Sequence, residues 1–196
     1  MTTDMLLALA VGYLLGSIPF GIVLTKLAGK GDVREIGSGN IGATNVLRTG
    51  SKWLAAATLI LDALKATLAV WLAQRFFPTG DLAAAAGALI GHLYPFWLKF
   101  KGGKGVATFL GILVVLLPTA ALVYILVWLL GLFIARISSV AGMAAAASAP
   151  MSAGLLGAWT LFPSLLAFAL LVIWMHRANI LRLKAGTEPR VGAKRN

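Results

Sequence analysis

Residues 105 to 135 contain no charged side chain, and this run lies between two basic residues, Lys104 and Arg136. As one straight helix it would extend about 46 Å at ~1.5 Å per residue, well beyond a hydrocarbon core about 30 Å thick. A single crossing would also place Lys104 and Arg136 on opposite sides of the membrane. Because Pro118 lies near the middle of the run, we predict two short crossings with a turn at this proline, which leave both basic residues on the cytoplasmic side.

The whole chain has the composition of a polytopic membrane protein. It is 60% hydrophobic and 12% charged, with a mean hydropathy of +0.92, and a soluble domain of 196 residues could not bury so much apolar surface. There is no cysteine, which excludes disulfides, thiol nucleophiles and thiolate metal sites. The formal net charge of +11 is explained either by the excess of Lys and Arg in cytoplasmic loops or by an anionic substrate or lipid.

Other apolar runs bring the predicted number of spans to seven. They lie at residues 5–25, 53–74 and 82–98, with two more in 137–175 that divide near residues 157–160. With the N-terminus outside, nearly all Lys and Arg residues between the spans fall on the cytoplasmic side. We therefore predict an all-α integral membrane protein, a seven-span helical bundle with the N-terminus outside, the C-terminus cytoplasmic and some spans short. Residues 1–196 are expected to form a single transmembrane domain.

Two glycine-rich loops separate the apolar runs, GSGNIGATN at residues 37–45 and FKGGKGVAT at residues 100–108. The first glycine loop fits the G-x-G-x-x-G spacing, but it follows a predicted membrane helix instead of a strand, which excludes a dinucleotide-binding unit. The second is not a Walker loop, because Lys104 is followed by Gly105. Glycines still allow consecutive N–H groups to converge on an anion, and a helix beginning at Val106 would add partial positive charge there.

Basic and amide side chains near both loops indicate a binding site for phosphate groups. Lys101 and Lys104 lie in the second glycine loop, and Arg48 follows the first, which contains Asn40 and Asn45. The alternative is a pair of interfacial turns whose lysines extend toward lipid head groups. Two such loops on one predicted face of the membrane favour the anion-binding site.

Several ionisable residues within the predicted spans have two open interpretations. Asp62 and Lys65 are one helical turn apart in apolar surroundings, and the default is a neutralising pair that supports the bundle, although ionisable groups inside membranes are often functional. His92 is either a packing histidine that hydrogen-bonds its neighbours or a catalytic one. In the basic segment that begins at His176, Asn179 and Arg182 could share one helix face with the histidine, or the segment is an ordinary basic anchor.

The sequence contains no His, Asp and Glu cluster with metal-ligand spacing, no G-x-S-x-G elbow and no H-x-x-x-x-D arrangement. Any reaction must therefore depend on the positioning of substrates and on charge stabilisation more than on a strong nucleophile of the protein.

Three segments resemble the signature motifs of the bacterial acyl-phosphate:glycerol-3-phosphate acyltransferase family. They are GSGNIGATNVLRTG from residue 37, GHLYPFWLKFKGGKGVAT from residue 91 and HRANILRLKAGTE from residue 176. The intramembrane LDALK and the RISS element are similar to further features of the family. The resemblance extends from about residue 12 to 190. One small departure is Ala66, where the family usually has glycine after the lysine of its D-x-x-K element.

The resemblance implies transfer of a fatty acyl group from acyl-phosphate to the 1-hydroxyl of glycerol 3-phosphate, which gives lysophosphatidic acid and phosphate in phospholipid biosynthesis. It also implies a multi-pass protein of the bacterial inner membrane, in contact with membrane lipids, with its active site on the cytoplasmic side. We expect no cofactor, no metal, no nucleic acid and no obligate protein partner. A membrane transporter or binder of small phosphate compounds is the alternative function.

We assign roles to the residues that match the motifs of the family. The expected catalytic residues are Ser38, Asn40, Lys104 and His176. The expected substrate-binding residues are Gly39, Asn45, Arg48, Lys101, Gly102, Gly103, Ser138, Ser139, Arg177 and Asn179. The second glycine loop is assigned to the phosphate of the acyl donor, and the first loop with the His176 segment to glycerol 3-phosphate. The hydroxyl proton is expected to pass to a substrate phosphate oxygen or to His176.

Overall fold

A computed structural model describes residues 2–192, and all regular secondary structure in this range is helical. The α-helices are α1 (Thr3–Gly16), α2 (Phe20–Leu27), α3 (Ala43–Val46), α4 (Lys52–Phe76), α5 (Asp81–Leu93), α6 (Val106–Leu116), α7 (Pro118–Ala135), α8 (Ser138–Leu155), α9 (Phe162–Met175) and α10 (Arg177–Lys184). Single 3₁₀ turns occur at Val33–Glu35, Leu47–Thr49 and Phe96–Leu98. The chain divides into two compact units between Leu116 and Leu117, which we call the N-terminal and the C-terminal unit.

Within residues 2–192, three segments are long and apolar enough to cross a membrane, which confirms a multi-pass helical membrane protein. They are Thr3–Leu27, Lys52–Phe76 and Pro118–Ala135. A fourth is obtained if α9 and α10, which are bent by 56° at their junction, count as one broken span, and α6 is a shorter apolar helix. The predicted count of seven spans, the orientation of the termini and the single domain stay predictions.

Prolines and turn residues divide the helices where the sequence predicts. Helix α6 ends at Leu116 and α7 begins at Pro118, where the missing N–H of proline costs nothing in the first turn. The apolar run after Arg136 likewise divides into α8 and α9, between Leu155 and Phe162. The predicted interruption of the uncharged run 105–135 is therefore confirmed.

In the N-terminal unit, α1 and α5 pack with their backbones in contact. A Cβ atom on Gly16 would collide with the backbone of Ala88, and one on Gly91 would collide with the carbonyl of Tyr13. Close approach through small residues is typical of helices packed within a membrane. This contact, together with the hydrogen bond from the Tyr13 hydroxyl to the Tyr94 carbonyl at 2.8 Å, fixes the end of α5 beside the end of α1.

The first membrane segment is broken between Gly16 and Phe20, as the proline at position 19 predicts. At the break, side chains from other segments donate to backbone carbonyls. Trp97 Nε1 donates to the Ser17 carbonyl at 2.8 Å, and Lys65 Nζ donates to the Ile18 carbonyl at 2.8 Å. These bonds satisfy backbone groups that would be costly to leave unpaired in a membrane.

In the C-terminal unit, α8 packs against α7 and α9 through small residues. Ala141, Ala145 and Ala149 are fully buried on α8, and a Cβ atom on Gly131 of α7 would lie 3.1 Å from the Ala141 Cα. At the other end of the unit the chain turns at His176 into α10. The segment after α10 returns to the start of α8, where the Val191 N–H donates to the Arg136 carbonyl at 2.7 Å.

Candidate active site

The first glycine loop is organised around the buried side chain of Asn45. Its Nδ2 donates to the carbonyls of Val33 at 2.7 Å, Ile36 at 3.1 Å and Asn40 at 2.8 Å. Its Oδ1 accepts from the Ser38 backbone N–H at 3.1 Å. Asn45 is 2% exposed, so a single amide ties both ends of the loop to its centre away from water.

The outer side of the same loop carries its exposed polar groups. Ser38 and Arg48 are exposed, and Asn40 closes a local turn by accepting from the Gly42 N–H at 2.9 Å. Gly37 and Gly39 have φ of +58° and +68°, a region that favours glycine. A Cβ atom on Gly37 would collide with the Arg48 guanidinium, which therefore lies back across the loop.

The second glycine loop begins with strained backbone and ends at a helix N-terminus. Lys99 and Phe100 both have left-handed backbone, with φ of +52° and +60°, which side chains rarely adopt. Gly105 has φ of +86°, and α6 begins at Val106, as the sequence predicts. Lys101 is exposed and Lys104 is half-buried.

Two amides of this loop are used within the protein. Gly102 N–H donates to the Leu93 carbonyl and Gly103 N–H donates to the His92 carbonyl, each at 3.0 Å. These bonds hold the loop against the last turn of α5. The Gly102 and Gly103 N–H groups were expected to hold a phosphate, but in this conformation both already have protein acceptors.

The first glycine loop is built over a group of buried residues in the N-terminal unit. This group, which we call the loop cluster, consists of Ile22, Val33, Ile41, Val46 and Ala55. Leu98, from the segment that leads into the second loop, packs against it. The hydrophobic contact brings the first loop, with Ser38, Gly39 and Arg48, and the approach to the second loop onto a common base.

A buried polar network lies next to the loops. Lys65 Nζ donates to Asp62 Oδ1 at 2.6 Å, to His92 Nδ1 at 2.9 Å and to the Ile18 carbonyl at 2.8 Å. The three side chains are 3–4% exposed. The sequence predicted the Asp62–Lys65 pair, but it gave no signal that His92, 27 residues further along the chain, would join it.

In the C-terminal unit the Glu188 carboxylate collects three hydrogen bonds. Oε1 accepts from Ser139 Oγ at 2.7 Å and from Asn179 Nδ2 at 2.5 Å, and Oε2 accepts from Arg182 Nε at 2.7 Å. Burial raises the pKa of the Glu188 carboxyl, but these hydrogen bonds and the Arg182 charge outweigh it, so the pKa lies below its ordinary value. Ser139 and Asn179, both predicted as substrate-binding residues, are thus brought together by an acid.

Glu188 was not among the residues predicted for the site. Two signals pointed to it, because it is the last residue of the motif HRANILRLKAGTE and the sole acidic residue after Asp81 in a strongly basic part of the sequence. A lone acid among arginines and lysines is expected to have partners.

His176 is buried at the junction of α9 and α10, and its Nδ1 lies 2.8 Å from the Val172 carbonyl. A carbonyl only accepts, so Nδ1 carries the hydrogen, and in a neutral ring Nε2 is the acceptor. Arg177 is exposed and lies over the Trp174 ring, 5.4 Å from its centroid. Ser138 is half-buried at the start of α8. The roles assigned to these residues stay predictions.

The low pKa of Glu188 predicts that acid releases the C-terminal segment. A folded-state pKa below the ordinary value of 4.5 means that the carboxylate stabilises the docked segment above pH ~4.5, and that this contribution is lost as the pH falls through the folded-state value. Glu188→Gln removes the charge at every pH. We expect tryptic cleavage after Lys184 to be about tenfold faster in this variant than in the wild type at neutral pH, since charge-assisted hydrogen bonds are lost.

The matched control for this test is Arg190→Gln, which changes an exposed charge two residues away. It should be cleaved after Lys184 at the wild-type rate. Equal cleavage of wild type and Glu188→Gln would show that the carboxylate does not hold the segment.

Comparisons with known proteins agree on one family. The glycerol-3-phosphate acyltransferase family model matches residues 6–186. The glycerol-3-phosphate acyltransferase of Mesorhizobium japonicum is 55% identical over 194 residues, 99% of this chain and 100% of the relative. That of Erythrobacter litoralis is 56% identical over 191 residues, 97% of each chain.

Solved structures give the same result. This chain is similar to the crystal structure of PlsY (YgiH), an integral membrane glycerol 3-phosphate acyltransferase, in its glycerol 3-phosphate form, with a TM-score of 0.88, 38% identity and 96% of each chain covered. The lysophosphatidic acid form of PlsY has a TM-score of 0.86 and 37% identity, and the match covers 95% of this chain and 94% of that one.

Proposed function

This chain belongs to the glycerol-3-phosphate acyltransferase family, and on that premise we propose that it transfers a fatty acyl group from acyl-phosphate to the 1-hydroxyl of glycerol 3-phosphate. Acylation of glycerol 3-phosphate in phospholipid synthesis is the activity of the family. The acyl-phosphate donor, the bacterial inner membrane and a site on the cytoplasmic side are our proposal. Lysophosphatidic acid and phosphate are the products.

The observation that carries the proposal is the pair of glycine loops with basic residues, of which the first lies on the loop cluster and the second follows Leu98, which packs against it. Arg48 accompanies one loop, and Lys101 and Lys104 lie in the other. Both proposed substrates carry a phosphate, so two cationic loops match them in number and in charge. Acyl-phosphate is an activated mixed anhydride, so an acyl-enzyme is not required, which is consistent with a chain that has no cysteine.

We assign glycerol 3-phosphate to the first glycine loop, with Arg48 and Ser38 as its ligands. The Arg48 guanidinium has a planar fork of donors that suits phosphate oxygens, and it lies across Gly37. Asn45 and Asn40 act by shaping the loop, because their side-chain amides bond its backbone. A rigid loop keeps the substrate hydroxyl in one orientation toward the donor.

We assign the phosphate of the acyl donor to the second glycine loop. Lys101 and Lys104 supply full positive charge, and the N-terminus of α6 adds the partial charge of its helix dipole. During the reaction the hydroxyl oxygen forms a bond to the acyl carbonyl carbon, and the bond from that carbon to the phosphate oxygen breaks. Cationic groups at this phosphate stabilise the leaving anion as its charge develops.

The proton of the attacking hydroxyl has two candidate acceptors, a phosphate oxygen of a substrate and Nε2 of His176. We expect His176→Ala to retain turnover within about 100-fold of the wild type and to keep the acid limb of its pH–rate profile, because the phosphate oxygen accepts the proton. A general base contributes ~10²–10⁴-fold, so a loss of at least 1000-fold together with a flattened acid limb would assign the proton to His176.

An assay of the purified protein identifies the acyl donor. We expect labelled lysophosphatidic acid to form from glycerol 3-phosphate and acyl-phosphate in detergent, and no product to form from acyl-CoA or acyl carrier protein. Product formed from acyl-CoA alone would show that acyl-CoA, and not acyl-phosphate, is the donor. Uptake of labelled glycerol 3-phosphate into proteoliposomes without acyl transfer would instead support a transporter.

A further inference from the structure

We propose that His92 donates a hydrogen bond from Nε2 to a phosphate oxygen at the second glycine loop, and that the Asp62–Lys65 pair holds the imidazole in the form that does so. This inference rests on the proposed function, in which that loop binds the phosphate of the acyl donor. It gives the buried pair a part in substrate binding beyond charge neutralisation.

The contacts of Lys65 determine which nitrogen of His92 carries the hydrogen. An ammonium group has three donors and no acceptor. Lys65 Nζ has three acceptors within 2.9 Å, which are Asp62 Oδ1, the Ile18 carbonyl and His92 Nδ1. His92 Nδ1 therefore accepts, and the hydrogen of the neutral ring must lie on Nε2.

The Nε2 edge of the same ring faces the loop. If Gly103 carried a Cβ atom, that atom would collide first with His92 Nε2, and then approach Cε1 at 2.7 Å and Cδ2 at 3.0 Å. The Gly103 N–H also donates to the His92 carbonyl, so the loop is fixed to the residue whose ring it covers. Any side chain at position 103 would block access to Nε2.

The side chain of His92 makes its hydrogen bond to the described part of the chain through Nδ1. The Nε2–H group is then a donor without a protein acceptor in nearly buried surroundings, 4% exposed. Nε2 is not one of the fully buried side-chain atoms without a partner, so a ligand can reach it, and a phosphate oxygen beside Lys101 and Lys104 is the acceptor that this loop is suited to bring. A pair that merely neutralised charge would not need the bond to His92.

The tautomer can be measured directly, because the sequence has only two histidines, His92 and His176. In ¹⁵N-histidine-labelled full-length protein, the ring signals missing from His92→Phe belong to His92. We expect His92 to be protonated on Nε2 and not on Nδ1, and its Nε2 signal to shift saturably as inorganic phosphate is added. A ring protonated on Nδ1, or an Nε2 signal that phosphate leaves unmoved, would overturn the proposal.

Kinetics with acyl-phosphate test the same hydrogen bond. His92→Phe keeps the ring but removes the donor, and we expect the KM for acyl-phosphate to rise about 10- to 100-fold, as for a lost hydrogen bond to a charged group. His92→Gln places an amide N–H near the position of Nε2 and should recover most of the loss. Thr58→Val is the matched control, since this buried hydroxyl on α4 donates only to the Leu54 carbonyl, and its KM should be unchanged.

The role of the pair is tested by the double variant Asp62→Asn with Lys65→Met, which removes both charges together. We expect the His92 ring to lose its single tautomer and to show both protonation patterns in the ¹⁵N spectrum. If the Nε2–H form persisted unchanged, the pair would not position the ring. This readout does not depend on turnover.

The two proposals fail in different ways. If wild-type protein makes no product from acyl-phosphate, the proposed donor is wrong, and the phosphate titration of His92 still decides whether the site exists. If the wild type is active and His92→Phe has an unchanged KM, the hydrogen bond from His92 is wrong and the acyltransferase function stands. Should His92→Phe fail to fold, the KM of His92→Gln for acyl-phosphate and the ¹⁵N spectrum of the wild type still test the hydrogen bond from His92.

Discussion

Replacing Lys104 with alanine is expected to lower kcat/KM for acyl transfer by at least about 1000-fold, while the protein keeps its fold. Lys104 lies between Gly103 and Gly105, directly before α6, where its ammonium adds a full positive charge to the partial charge of the helix N-terminus. We propose that this charge stabilises the phosphate as it leaves the acyl group. Loss of one preorganised electrostatic contact of this kind costs ~10²–10³-fold, and loss of a full charge costs more.

The measurement is the initial rate of purified protein with acyl-phosphate and glycerol 3-phosphate, with thermal stability and gel filtration as checks of folding. Lys30→Ala is the matched control, because it removes the same charge from an exposed position outside both glycine loops. Lys104→Arg retains the positive charge but changes the shape of the side chain, so its rate distinguishes the effect of charge from that of geometry. A wild-type rate in Lys104→Ala would show that Lys104 of the second glycine loop does not stabilise the leaving phosphate.

The helical layout could be predicted because its breaks are local. Pro118 and Pro19 lie at breaks between helices, whereas Pro150 lies inside α8 without ending it. The number of crossings could not be counted in the same way. Helix α6 has 11 residues and α5 has 13, too short to cross a ~30 Å core by their length, so hydropathy alone does not decide their place in a membrane.

Glycine patterns located the two loops, but they could not predict the use of the loop amides. Gly102 and Gly103 donate to the last carbonyls of α5, a pairing that depends on how the chain reverses after Tyr94. From the sequence alone these amides could bond either a ligand or the carbonyls of α5. Only the tertiary structure shows which of the two acceptors they have. The same holds for His92, whose partner Lys65 lies on another helix.

Glu188 shows a second limit of the sequence. Asn179, Arg182 and Glu188 share the motif HRANILRLKAGTE, but Ser139 lies 49 residues from Glu188, so no local spacing contains the whole cluster. Ser139 and Asn179 were chosen as candidates from the motifs, and the structure adds the acid that joins them. A carboxylate placed there orients donors that a sequence pattern treats as independent.

Replacing Asn45 with aspartate is expected to lower kcat/KM by at least about 100-fold, through the first glycine loop and not through the helices. The substitution keeps size and shape but replaces the Nδ2 donor by an acceptor. The carbonyls of Val33 and Asn40 then lose this donor, the Ile36 carbonyl keeps the Gly39 N–H, and all three face a negative charge. Each buried carbonyl left unpaired costs about 1–3 kcal/mol, more than a loop of this length can absorb.

Hydrogen exchange of residues 33–46 distinguishes this mechanism from a general loss of stability. We expect faster exchange in this segment of Asn45→Asp and unchanged exchange in α4 and α5, because the amide of Asn45 bonds only within the loop region. Thr44→Ala is the matched control, since its exposed side chain is adjacent in sequence and should leave both exchange and activity at wild-type values. If Asn45→Asp were as active as the wild type, the loop would not need its buried amide, and the arrangement of Ser38 and Arg48 that we assign to glycerol 3-phosphate would have to be maintained by other contacts.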